Sequence, residues 1–322
     1  MLRFASRVKY LRTIVTELTY LPLLMRELGR ADVVHVFSAS YSSFLLAPLP
    51  AMAIARALGR PVVLNYRSGQ APDHLTRSAV ARAAIAAADL NVVPSGFLAE
   101  VFAGFGIDAA VIPNIVDTTR FAFRLRDQLT PRLLSTRSFE PLYNVACTLR
   151  AFRIVQQRVP DAALTLIGGG SQQRALEQLA VELDVKHVTF AGRVAPGRIA
   201  DYYAAHDIYV QSPDIDNMPS SILEAYASGL PVVSTRAGGV PAILEDGTHG
   251  LLAELDDHEA IAAHVLTLLD DAPLARSVAC AGRAAVESCT WPAVRQQWLH
   301  LYHSALASRV THAAPATSHD AV

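Results

Sequence analysis

Several things are scarce in this 322-residue chain, and each scarcity closes off a class of protein. Only three cysteines occur (Cys147, Cys280 and Cys289), none in a CxxC pair, so a disulfide framework and a cysteine-based metal or redox site are excluded. A reducing compartment fits them best. Charged residues make up 18% of the chain and the net charge is −1, which argues against a nucleic-acid-binding surface. No secretory signal is convincing, because the apolar run Leu18–Met25 is short, holds Pro22 and lacks a small-residue cleavage site. The longest uncharged stretch, Val36–Ala55, carries five hydroxyl-bearing side chains and two prolines. It reads as a strand end, loop and core helix, not a bilayer span. No Ser-His-Asp or Cys-His constellation stands out.

Half the residues (52%) are apolar, enough to bury a large core over two domains. The charge is uneven. Residues 1–124 hold 13 Lys/Arg against 8 Asp/Glu, and the remainder 15 against 21. The first thirty residues (Arg3, Arg7, Lys9, Arg12, Arg26, Arg30) are the most basic part, which suggests an anionic membrane surface as a partner.

Short β-rich apolar runs alternate with helical patterns throughout. Candidate strands are Asp32–Phe37, Pro61–Tyr66, Asp89–Val93 and Ala110–Ile112, followed by Arg132–Thr136, Ala163–Ile167, His187–Phe190, Asp207–Gln211, Pro231–Ser234 and Gly250–Ala253. Near-continuous apolar strands such as residues 163–167 imply burial on both faces of a parallel sheet. The alternation implies doubly wound α/β layers, and the two series imply two sheets. The seam falls in residues 114–131, where the rhythm lapses into polar and Arg-rich sequence. The reading is 1–124 for the first domain, 125–290 for the second, a closing helix over 291–308 and a frayed tail over 309–322. The aromatics of that helix (Trp291, Trp298, Tyr302) read as core packing.

The chemistry concentrates in Ser212–Pro231. It follows a strand, at the carboxyl edge where open α/β sheets bind ligands. Pro219 suits a helix start, and Gly229 with Pro231 a stop, so residues 219–228 form a short helix whose N-terminus favours an anion such as a diphosphate. Glu224 inside it can accept hydrogen bonds from ribose hydroxyls; alone it reads more readily as an ordinary surface glutamate.

This segment resembles the E-x7-E region of the retaining GT-B glycosyltransferases of glycosyltransferase family 4, with Glu224 at the second acidic position and Asp216, eight residues earlier, at the first. The resemblance extends through Val93–Leu98, Val111–Asp117, Leu164–Gly170, Val188–Arg193 and Pro231–Gly239, in the family's order and spacing. It implies a GT-B fold: two Rossmann-like doubly wound domains facing a cleft. It also implies metal-independent transfer of a hexosyl group from a nucleotide-diphosphate sugar, with retention, to a glycan, lipid-linked or small acceptor in glycoconjugate or polysaccharide biosynthesis. No cofactor is implied, and the setting is the cytoplasm or the inner membrane face. Carried over residue by residue, Glu224 holds the donor ribose and Asp216 lies near the transferred sugar. The Ser220, Ser221 and Ile222 amides cradle the diphosphate, and Gly169 borders the nucleotide. The family's cationic pair is an arginine, matched by Arg137, and a lysine, whose position falls on or near Leu142; Arg193 is a candidate substitute. Arg67 stands where family members carry a histidine, which suggests an acceptor or phosphate contact. Asp214-Ile-Asp216 matches the DxD pattern that binds a divalent metal in the other large glycosyltransferase fold, but its setting before this helix argues against a metal. Gly168–Gly170 lacks the GxGxxG spacing and reads as a tight turn.

Family members place a glycine-rich loop and further βα units before the Asp32–His35 strand, so the N-terminal domain reads as incomplete by roughly two βα units. A misplaced start codon, a truncation or completion by a partner chain would each account for this. The alternative to an active enzyme is a non-catalytic nucleotide-sugar-binding or partner subunit.

Overall fold

The computed structural model describes residues 20–313, with side chains through 307. Arg3, Arg7, Lys9, Arg12 and residues 314–322 of the expected tail lie outside the described residues. All ten expected strands form: β1 (Val34–Ser38), β2 (Val62–Tyr66), β3 (Leu90–Val93), β4 (Ala110–Val111), β5 (Arg132–Ser135), β6 (Ala163–Ile167), β7 (Val188–Gly192), β8 (Ile208–Val210), β9 (Val232–Thr235) and β10 (Leu251–Ala253). They make two all-parallel sheets of order β1-β2-β3-β4 and β10-β9-β8-β5-β6-β7.

The chain divides into two compact units. Among the described residues, one is 20–94 with Leu98–Ile112 and 296–313; the other is Ser95–Phe97 with Pro113–Arg295. In the first, α1 (Tyr41–Leu46), α2 (Pro48–Ala57), α3 (Ala71–Arg77), α4 (Ala79–Ala86) and α5 (Gly96–Ala103) link the strands, although α5 begins in the second unit. The uncharged stretch 36–55 is the end of β1, α1 and most of α2. Among the described residues no helix is long and apolar enough to cross a membrane.

The second unit adds α6 (Val145–Arg158), α7 (Gln173–Glu182), α8 (Ile199–Ala205), α9 (Ser220–Ser228), α10 (His258–Asp270) and α11 (Ala272–Val286). Neighbouring strand residues go to opposite faces. Leu133, Ile208, Val210 and Val233 join one buried cluster with α6 and α10, while Leu134, Tyr209 and Val232 join a second with α8 and α9. Both faces being covered is why these strands carry no polar alternation.

Residues 113–124, placed with the first half from sequence, pack on the second unit. Val116 N–H donates to the Cys289 carbonyl (2.9 Å), and the Asn114 amide to that of Met218 (2.6 Å). Just beyond, Arg126 is buried and bridges Asp207 (2.7 Å) and the end of α9. Side chains such as these, and not the loss of strand rhythm, decide where a linker belongs.

The last helix, α12 (Trp291–Ala313), outruns the expected 308. Within the first unit, Trp298 is buried and stacks on His35 (4.8 Å), whose Nδ1 bonds the Tyr302 hydroxyl (2.8 Å). Trp291, by contrast, is exposed, so of the three aromatics Trp298 is buried and Tyr302 is half-buried against it.

Candidate functional site

In the second sheet the chain runs β5-β6-β7 to one side and then restarts with β8 on the other flank of β5. Loops leaving β5 and β8 therefore diverge at their carboxyl ends, where open α/β sheets leave a crevice. A cleft of about 550 Å³ sits there. Its lining includes Thr136, Arg137 and Ser138 after β5, Gly168 and Gly169 after β6, Arg193 after β7, and Ser220, Ser221 and Glu224 of α9.

Local sequence explains the shape. Pro219 is the N-cap of α9, one residue outside the helix, and Gly229 closes it at φ +73°, a conformation suited to glycine. A Cβ at Gly170 would meet the Glu140 carboxylate (2.6 Å) and the Phe139 carbonyl, and one at Gly168 would strike the Arg137 carbonyl. The triple glycine thus folds flat against the segment after β5, consistent with a tight turn. Phe139 N–H donates to the Gly169 carbonyl (3.3 Å), and Glu140 accepts from the Ser171 N–H (3.1 Å) and hydroxyl (2.6 Å).

Of the residues singled out from sequence, the cleft gathers Arg137, Gly169, Arg193, Ser220, Ser221 and Glu224. Asp216 joins them through an ion pair with Arg137. Ile222 does not serve as expected. It is fully buried and its N–H donates to the Pro219 carbonyl (3.1 Å), which leaves Ser220 and Ser221 as the opening amides of α9. Arg67 lies in the first unit after β2, with its guanidinium 5.7 Å from the centre of the Phe37 ring. At the expected lysine position, Leu142 contributes its carbonyl, which accepts the amides of Asp214 (3.0 Å) and Ile215 (3.2 Å). The two carboxylates of the DxD pattern have different partners, Asp214 taking the Asn144 amide (3.0 Å) and Asp216 taking Arg137.

Beneath the cleft runs a buried polar floor. Tyr203 bonds Thr136 Oγ1 (2.8 Å) and donates to the Ser221 carbonyl (3.2 Å); Tyr209 and Ser221 both donate to Gln211 Oε1 (3.2 Å each). Burial pushes the Glu224 carboxyl above the usual range, with the Tyr203 hydroxyl and the Arg120 charge pulling against it. Burial likewise raises Asp216, opposed by Arg137 and the Asn217 amide. Tyr203, Tyr143 (whose ring lies 4.1 Å from the Arg137 guanidinium) and Thr136 carry no motif, so sequence reasoning passed over them. The only available signal was an apolar strand ending in a hydroxyl residue.

His74 is buried, its Nδ1 bonded to the Tyr66 hydroxyl (2.9 Å). His206 bonds Tyr202 and Thr165. Both serve the fold.

With this geometry in place, comparisons with known proteins converge. A glycosyl transferases group 1 domain matches residues 130–271 and a glycosyltransferase family 4 domain residues 3–120. A sulfoquinovosyl transferase of Arabidopsis thaliana is 28% identical, aligned over 88% of this chain but only 59% of its own length. A GDP-mannose-dependent α-(1-6)-phosphatidylinositol monomannoside mannosyltransferase of Mycolicibacterium smegmatis is 29% identical over 83% of this chain and 76% of its own. Among solved structures, HepE of Anabaena in complex with UDP-glucose superposes with a TM-score of 0.75 at 21% identity, covering 88% of this chain and 82% of that one. Two parallel-sheet α/β units, the two domain matches and these relatives support a GT-B glycosyltransferase, an enzyme of the hexosyl-transferring class.

Proposed function

We propose that the chain transfers a hexosyl group from a nucleotide-diphosphate sugar, with retention and without a metal, to a glycan, lipid-linked or small acceptor. The observation that carries this reading is the cleft itself. It combines the N-terminus of α9, the guanidinium of Arg193, a buried arginine and a carboxylate on one wall, at the switch point of a doubly wound sheet. The α9 amides and Arg193 suit a diphosphate; Glu224 suits the ribose hydroxyls. As the bond between the sugar C1 and the phosphate oxygen breaks, negative charge grows on the phosphate. Donors fixed in advance stabilise it without reorganisation. The acceptor oxygen bonds to C1 on the face the phosphate leaves, and its proton passes to a phosphate oxygen, so no protein base is required.

HepE binds UDP-glucose and the mycobacterial relative uses GDP-mannose, so the donor's base and sugar are to be found by assay. The test is nucleotide release from UDP- and GDP-sugars in the presence of EDTA, with the anomeric configuration of the product read by NMR. Metal-dependent release, an inverted product, or no release at all would each remove a part of the reading. We place the reaction at the cytoplasmic face of a membrane because the early residues are basic; Arg26 and Arg30 there are exposed, though both neighbour Glu27. Salt-sensitive sedimentation with anionic but not neutral liposomes is expected, and indifference to lipid charge would refute it.

A further inference from the structure

Arg137 is nine-tenths buried at the wall of the cleft, and its bonding is incomplete. One terminal nitrogen donates to Ser221 Oγ (3.1 Å), the other to Asp216, and the guanidinium lies over the Tyr143 ring. Its Nε–H is buried without an acceptor. A carboxylate on one edge of a guanidinium stands where a phosphate would bind, since both present paired oxygens to the same fork.

The backbone carrying Asp216 is held fast. The amides of residues 214 and 215 donate to the Leu142 carbonyl, Gly239 N–H donates to the Asp216 carbonyl (3.3 Å), and a Cβ at Gly238 would collide with that same oxygen. Any rearrangement at Asp216 is therefore a side-chain rotation, which can exchange one anion for another without moving the loop.

We propose that the Asp216 carboxylate is an internal anion on Arg137 that the diphosphate of the donor displaces, which frees the carboxylate toward the sugar. The inference rests on reading the cleft as a diphosphate site. It assigns Asp216 two opposed effects: it weakens binding of the nucleotide and it assists the step that follows. Displacement also links the two events, because the carboxylate is released only when phosphate arrives.

The experiment is calorimetric titration of UDP and GDP into the wild-type chain, Asp216→Asn, Arg137→Ala and the double variant, alongside turnover. Asp216→Asn should bind its nucleotide at least about fivefold more tightly, because a like charge facing the ligand is removed, and should turn over more slowly. In the Arg137→Ala background the same substitution should bring no gain. Unchanged or weaker binding by Asp216→Asn, or a gain that survives without Arg137, overturns the proposal. Asp216→Ala carries the same prediction should the asparagine variant melt early. If the wild-type chain binds neither nucleotide, the reading of the cleft fails instead.

Discussion

Two buried arginine–aspartate pairs sit in the second unit, and they are built to different standards. Arg126 and Asp207 are 2% and 5% exposed, and nearly every polar atom is answered. Arg126 donates to Asp207, to the carbonyls of Ser228 and Gly229 at the end of α9, and to those of Tyr203 and His206 at the end of α8. Asp207 also accepts the Thr130 amide and hydroxyl. Arg137 and Asp216 have fewer partners and an orphaned Nε–H. Taking a charge out of water is costly unless hydrogen bonds replace the lost hydration. The first pair meets that demand and ties a linker to two helix C-termini, where a cation is also favoured by the helix dipoles. The second leaves it partly unmet beside the cleft. Saturation marks the brace, and deficit marks the site.

The sharpest way to break this contrast is to delete each arginine. Arg126→Met leaves the buried Asp207 only the half-exposed Arg124 (2.7 Å) and Thr130 as partners and unties α8 and α9 together, so the chain should lose about 3 kcal/mol, the low end for a broken buried pair. That is a large share of a typical domain's stability, and thermal melting would show it. Arg137→Ala should shift the melting point far less. Equal losses in the two variants would dissolve the distinction.

A smaller effect is expected within α9 itself. Glu224, at the midpoint of the helix, is half-buried in the cleft wall, and it serves no ion pair among the described residues. Glu224→Gln keeps the shape and one acceptor. It should weaken nucleoside diphosphate binding by about 1–3 kcal/mol, roughly 5- to 150-fold, with little change in melting. Binding unaffected by this substitution would remove Glu224 from the site.

Much of this contrast was hidden in the sequence, for a physical reason. Strands with both faces covered are legible because nearly every position is apolar, as in Ala163–Ile167, found to the residue; the exposed β4 was found only as a short apolar run. Glu224 and Arg137 were singled out by the family resemblance, and the fold brings both to one cleft. Arg126 was not, since an arginine in a polar linker looks the same whether solvated or buried, and only the fold brings Asp207 and two helix ends around it. The same blindness put residues 113–124 in the wrong unit. It also made Ile222 look like a free donor, because whether the third amide of a helix closes a tight turn on its N-cap depends on backbone angles that composition does not encode.

The two aspartates should also respond oppositely to acid. Burial pushes the Asp207 carboxyl up, but hydrogen bonds from Thr130 and Arg126 outweigh it and hold it below its ordinary value. Asp216 is held above, burial prevailing over Arg137 and the Asn217 amide. A depressed acid gives stability that is present above its unfolded value, about 3.9, and is lost as pH falls through the folded one. A raised acid does the reverse: its contribution is full below the unfolded value and disappears as pH climbs through the folded one. Asp207→Asn should therefore flatten the loss of stability between about pH 5 and pH 2, though it starts from a weaker protein. Asp216→Asn should steepen it, because the wild-type chain gains from protonating Asp216 over that range and the variant cannot. The two changes in slope are expected to have opposite signs, measurable by urea unfolding at a series of pH values. If both substitutions bend the curve the same way, the two pairs are alike, and the difference in their bonding has no energetic meaning.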